Sequence, residues 1–210
     1  MTREELARKL RLTLVISQAE AQPRSIFELA ELSFEGGVTA LQLREKKLDG
    51  HSLYELASAL AVFCRERNKI FIVNDRLDIA LASGADGVHL GQSDLPASAA
   101  AALLPKEKIL GISAATLEEA ESARKAGADY LGVGAIIKTD SKIEAQEIDF
   151  SELPLINSLG PVTVAIGGIQ EDNAAKIWAM GFDGLAVISA LAKSQNPQAS
   201  AGNLLKVAPD

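Results

Sequence analysis

The feature that most constrains this chain is a joint that recurs three times along it. At Gly84-Ala85-Asp86, Gly127-Ala128-Asp129 and Gly181-Phe182-Asp183, a glycine closes a helix-spaced stretch, an acidic residue follows two positions later, and a short apolar run begins at once. Glycine enters the left-handed conformation that ends a helix without steric penalty, so one helix-to-strand joint is being reused. Eight short apolar or β-branched runs read as strands, at 12–17, 39–43, 69–73, 87–90, 109–113, 130–133, 162–166 and 184–188. Between most of them apolar residues recur at helical spacing, as at Ile26, Leu29, Ala30 and Leu32 or at Leu117, Ala120 and Ala123. Thr116 with Glu119 three residues on has the spacing of a capping box. Eight strand-helix units in 210 residues predict an α/β chain folded as one (β/α)8 TIM barrel domain over 1–210, rather than an open doubly wound sheet. No Pro/Ser/Gly-rich linker interrupts the run, and only the tail 193–210 has a loop-like composition.

Composition agrees with that fold and narrows the partners. With 48% hydrophobic residues but only 4% aromatic, the core must be built from Ala, Val, Ile and Leu, which suit helices packed closely on parallel strands. A formal net charge of −7 argues against nucleic-acid or anionic-membrane binding, because both need a basic footprint. The single cysteine, Cys64, cannot form an internal disulfide, and its place in the periodic run 53–64 predicts a buried thiol. The first residues mix acids and bases without an apolar stretch, and no apolar run approaches the ~20 residues of a membrane span. A cytoplasmic protein acting on small molecules is expected, with a homo-oligomer left open.

A barrel directs attention to the C-terminal ends of its strands, where active sites of this fold lie. After the second run, Gln42, Arg44 and Lys46 alternate and so project to one side of an extended segment, placing two cations together. The alternative is a solvated strand end paired with Glu45. The third run ends in Asn74-Asp75, which either caps the next helix or lines the mouth. The fourth continues through His89 to Asp94; His89 lies inside an alternating strand pattern and reads as a packed or hydrogen-bonded structural histidine. Asp75 and Asp94, on adjacent strands, need a cation between them. Beside Arg44 and Lys46 the economical cation is Mg2+ shared with phosphate oxygens, and the sequence has no His/Cys cluster for zinc.

Ser113 ends the fifth run without a candidate His base beside it, which favours hydrogen bonding to a phosphate over a nucleophilic role. The loop after Gly134 carries Thr139, Ser141 and Lys142, two hydroxyls and an ammonium suited to wrapping a phosphate; the alternative is an ordinary polar loop. Gly167-Gly168 after the seventh run and Ser189 after the eighth match the phosphate cup of this barrel, which needs bare backbone N–H groups. Two anion sites are expected, one metal-assisted on strands two to six and one metal-free on strands seven and eight.

Taken in order, the segments 42–46, 74–75, 89–94, 111–113, 139–142, 166–169 and 187–189 resemble the thiamine-phosphate synthase family, over about 12–192. The resemblance implies a transferase that condenses an aminopyrimidine diphosphate with a thiazole phosphate or its carboxylated form, giving thiamine monophosphate and diphosphate. It implies that Gln42, Arg44, Lys46, Asn74 and Lys142 contact the pyrimidine diphosphate and that Asp75 and Asp94 bind Mg2+. Ser113 would lie beside the diphosphate, and Thr139, Ser141, Gly168, Ile188 and Ser189 would hold the thiazole phosphate; Arg44, Ser113 and Lys142 would act in catalysis. The chain departs from the family pattern at Ala115, where a His is common, at Lys138, where a Pro is common, and at Ser141, where Thr is usual. Two other readings share the fold: a related thiazole tautomerase, which uses a histidine for proton transfer, and a non-catalytic barrel that only binds thiazole phosphate.

Overall fold

A computed structural model describes residues 1–137 and 148–209 of the chain. Its eight strands are β1 (Leu12–Ile16), β2 (Ala40–Leu43), β3 (Ile70–Asn74), β4 (Gly87–Leu90), β5 (Ile109–Ala114), β6 (Tyr130–Val133), β7 (Val162–Ile166) and β8 (Gly184–Val187). They are joined in sequence order into a closed barrel in which every neighbouring pair is parallel, β8 returning to β1. The expected barrel is therefore present, with strand bounds within a residue of those read from the apolar runs.

Helices separate the strands. They are α1 (Arg3–Lys9), α2 (Gln18–Ala21), α3 (Ile26–Glu35), α4 (Gly50–Glu66), α5 (Leu77–Ser83) and α6 (Ala97–Leu103). The second half adds α7 (Leu117–Lys125), α8 (Leu153–Asn157), α9 (Ala174–Trp178), α10 (Ser189–Ala192) and α11 (Pro197–Lys206). Gly84, Gly127 and Gly181 all have positive φ, as the joint requires. The acid that follows each glycine turns back to the preceding strand. Asp86, Asp129 and Asp183 each accept a 2.8 Å hydrogen bond, from the backbone N–H of Phe71, Leu110 and Thr163 respectively. The joint is thus a clip at the N-terminal end of the barrel, remote from the mouth.

Two sets of buried side chains result. One fills the space between strands and helices; the other fills the barrel itself and includes Val15, Ala40, Ile72, Ile109, Tyr130, Val164 and Ala186, closed from below by Leu6 and Leu10 at the end of α1. Alternation along the strands then fixes what faces inward: Gln42 follows Ala40, Asn74 follows Ile72, and Ser113 shares the parity of Ile109. Cys64 is fully buried at the end of α4, and burial pushes its thiol up to about 12, so it packs as an apolar group rather than reacting.

Two expectations change. The tail is largely helical: Asn196 caps α11 by accepting from the Ala199 N–H, Pro197 opens its first turn, and its buried face includes Ala201 and Leu204. Polar composition concealed a helix with one narrow apolar stripe. At α7, Thr116 accepts from the Glu119 N–H at 3.2 Å, but the Glu119 carboxylate reaches one residue further back, to the Ala115 N–H at 2.6 Å, so the reciprocal half of the capping box falls on a neighbour.

Candidate active site

Arg44 and Lys46 follow β2 at the barrel mouth. The Arg44 N–H donates to the Ile16 carbonyl at 2.9 Å, which carries the β1–β2 ladder one step past the strand end. Glu45 is not the partner of the cations: its carboxylate accepts from the backbone N–H groups of Gln18 and Lys46, both at 3.1 Å. Lys46 instead reaches across to Asp75, Nζ to Oδ2 at 3.6 Å. The strand end is therefore not neutralised by its own Glu45, and Lys46 is paired instead with an acid at the end of the next strand.

Asp75 does not cap the following helix. Arg76 is the N-cap residue of α5, which has no side-chain cap bond, while Asp75 has a φ of 65° and its N–H donates to the His89 carbonyl at 2.8 Å. This left-handed turn, which Asp tolerates better than most residues, breaks the strand alternation at the mouth. Asp94 is held in the turn after β4, where its Oδ2 accepts from the Gly91 N–H at 2.7 Å. The Asp94 carboxyl is near enough to bear on the ionisation of Asp75. Burial, followed by the hydrogen bond and negative charge of Asp94, raises the Asp75 carboxyl above its ordinary range, while Lys46 and Arg44 pull it back only in part. Two oxygen-bearing acids forced together suit a hard divalent cation. Among the described residues there is no cluster of three or more His, Cys, Asp or Glu, so oxygens of a bound ligand or water would have to complete its shell.

Ser113 has a neighbour that the sequence did not reveal. His89 and Gly111 are paired in register between β4 and β5, and Ser113 follows two residues later on the same face. The imidazole Nε2 consequently lies 2.9 Å from Ser113 Oγ, so a histidine does stand beside this serine. The other ring nitrogen, Nδ1, is 2.9 Å from the Tyr130 hydroxyl, which Gln42 Nε2 also approaches at 3.5 Å. The expectation of a hydrogen-bonded, buried His89 holds. Tyr130 was missed, because an aromatic at the start of a strand looks like ordinary core until the register is known. Gln92, whose amide donates to the Ser113 carbonyl at 2.6 Å, was missed as well.

On the opposite side, Gly167, Gly168, Ile188 and Ser189 line one pocket together with Gly134, Ala135 and Ile166. Gly168 has a φ of 64°, and a Cβ there would meet the Ile137 Cβ at 2.5 Å, so both conformation and space demand glycine. Two unforeseen side chains brace this cup. Gln170 Nε2 donates to Ser189 Oγ and Asn173 Nδ2 to the Gly168 carbonyl, both at 2.9 Å. Thr139, Ser141 and Lys142, with Lys138, lie outside the described residues.

Residues 12–191 match the family model described as thiamine monophosphate synthase. A thiamine-phosphate synthase of Moorella thermoacetica is 48% identical over 93% of this chain and 94% of its own, and one of Methanobrevibacter smithii is 43% identical over 94% of each. The solved thiamine phosphate pyrophosphorylase of Pyrococcus furiosus superposes with a TM-score of 0.87 at 39% identity, over 96% of both chains. A 3-hexulose-6-phosphate synthase matches at a TM-score of 0.69 but only 18% identity, a likeness of fold alone. With its barrel, its paired mouth acids and these relatives taken together, the chain belongs to the thiamine monophosphate synthase family of transferases.

Proposed function

We propose that the mouth of this barrel divides the thiamine-phosphate synthase reaction between two halves. The β2–β5 half takes the aminopyrimidine diphosphate, and the glycine cup of β7 and β8 takes the thiazole phosphate. The observation that carries this division is Asp75 set between Asp94 and Lys46, a combination suited to a divalent cation and a polyanion together.

In the reaction, the bond from the pyrimidine's exocyclic methylene to the diphosphate oxygen breaks and the thiazole nitrogen bonds to that carbon. Electron release from the aminopyrimidine supports a cation-like methylene, so the protein's tasks are to stabilise the departing anion and to position the nucleophile. Gln42 and Asn74 face the pyrimidine from the barrel interior. Arg44 and Lys46 meet the diphosphate, with Ser113 beside them as a hydrogen-bond donor. Asp75 and Asp94 would hold Mg2+, which when bound neutralises charge gathering on the leaving group. Gly168, Ile188 and Ser189 hold the thiazole phosphate through backbone N–H groups and a hydroxyl. Lys142 on the diphosphate, and Thr139 and Ser141 on the thiazole phosphate, are carried by the family resemblance.

The test is release of diphosphate from the two substrates with and without Mg2+. Release with Mg2+, matched by thiamine phosphate formation, is expected. No release under saturating substrates and metal overturns the reading, and isomerisation of the thiazole phosphate without Mg2+ would make the chain a tautomerase.

A further inference from the structure

Four side chains form one continuous line through the upper barrel: Gln42 on β2, Tyr130 on β6, His89 on β4 and Ser113 on β5. Its two ends are residues assigned above to the substrate; its two middle members lie between them. Space for the rings is built into the strands. A Cβ on Gly111 would collide with the hydroxyl-bearing edge of the Tyr130 ring, and one on Gly132 would come within 2.7 Å of His89 Cε1. Glycine weakens a strand interior, so two glycines opposite two rings indicate that the rings are needed where they are.

Each hydroxyl in the line, and the neutral imidazole, has one proton to give, so setting one link sets them all. Tyr130 is fully enclosed, and burial pushes its phenol upward, so it stays a neutral donor. Along these three links the hydrogens can run in two directions. In one, Gln42 Nε2 donates to Tyr130, Tyr130 donates to His89 Nδ1, His89 Nε2–H donates to Ser113, and the Ser113 hydrogen is left for the mouth. In the other, Ser113 gives its hydrogen to His89 and turns only lone pairs toward the mouth. Arg44 and Lys46 make that mouth a place for anions, and lone pairs repel a phosphate oxygen.

We propose that Tyr130 and His89 are positioning residues: they hold His89 as the Nε2–H tautomer, so that Ser113 donates to the departing diphosphate while Gln42 keeps its carbonyl oxygen for an amino group on the pyrimidine. The inference rests on the proposed diphosphate half of the site. It adds that the two ends are coupled, so the pocket selects a ligand with a hydrogen-bond donor at Gln42 and an anion at Ser113.

The chain has two histidines, His89 and the exposed His51, so nitrogen NMR of histidine-labelled protein reports both tautomers without any variant. His89 is expected to carry its proton on Nε2 with Mg2+ and inorganic diphosphate present. A proton on Nδ1 overturns the proposal. Tyr130→Phe removes the donor to Nδ1: His89 should then populate both tautomers, and inorganic diphosphate with Mg2+ should bind about tenfold more weakly, the effect expected for one buried charge-assisted bond made less often. His89→Gln, whose amide can still donate toward Ser113, should retain more of the kcat than His89→Leu, with little difference in thiazole-phosphate KM. Equal diphosphate affinity in Tyr130→Phe and the unaltered protein overturns the relay but leaves the site intact. No diphosphate binding by the unaltered protein overturns the site reading, and the polarity with it.

Discussion

Asp75 is held where its charge is unwelcome. Its carboxyl is raised by burial and by Asp94, so the ionised form is less favourable in the fold than in the unfolded chain, where an aspartate titrates near about 3.9. The sign follows: its contribution to stability is most favourable below that value and is lost as the pH rises through Asp75's raised value. Metal-free protein should therefore lose stability as pH rises through that interval, and Mg2+ should restore it. Asp75→Asn removes the repulsion while keeping the shape. It should raise the Tm in EDTA at neutral pH, abolish the Tm increase on adding Mg2+, and lower turnover by ~100-fold or more through loss of leaving-group stabilisation. Melting curves with EDTA and with Mg2+ check the first two, and steady-state diphosphate release the third. A Mg2+-induced shift as large as in the unaltered protein would remove Asp75 from the metal site. The types of these residues were legible in the sequence, because unpaired acids beside cations at strand ends point to ligand chemistry. The left-handed turn that brings Asp75 toward Asp94 was not.

At the scale of the element, the recurring Gly-x-Asp joint does two separate jobs. Its glycine ends a helix, and its aspartate binds the backbone of the strand before it. Asp129→Ala leaves the buried Leu110 N–H without that acceptor and should cost about 1–3 kcal/mol, lowering the Tm by several degrees for a chain of this length. Because this clip lies at the opposite end of the strands from the mouth, kcat and both KM values at a permissive temperature should stay as they were. Thermal melts and steady-state kinetics on one preparation check both parts. The glycine half of the joint was readable because helix endings leave local marks. The aspartate half was not, since its partner stands 15 to 20 residues earlier in the chain and is identified only by the parallel register.

Closure is a property of the whole molecule. α11 packs on α3, the Trp178 indole donates to the Leu204 carbonyl at 3.0 Å, and a Cβ on Gly36 would collide with the backbone at Gln198, so the last helix is seated tightly against the first part of the chain. Leu204 is fully buried, and Leu204→Ala should destabilise the barrel by about 2–5 kcal/mol. Since the ring of helices and the ring of strands share one core, the loss should appear as one earlier cooperative transition in chemical denaturation, with its slope preserved. A separate low-denaturant transition confined to the tail would mean that α11 is an appendage.

The sequence alone determined the alternation of strand and helix, the barrel it implies, and the kinds of residue gathered at the strand ends. Each of these depends on patterns within a few positions: apolar period, helix-ending glycine, and a polar residue just past an apolar run. Only the tertiary structure decided which of those residues meet. His89 stands 24 positions from Ser113 and 41 from Tyr130, and the three come together because the parallel register of β4, β5 and β6 puts them on one inward face. The helix in the tail, the partner of each clip aspartate and the left-handed turn at Asp75 were decided in the same way. Side-chain chemistry is written locally, whereas distance across a barrel is set by register, which no stretch of sequence carries by itself.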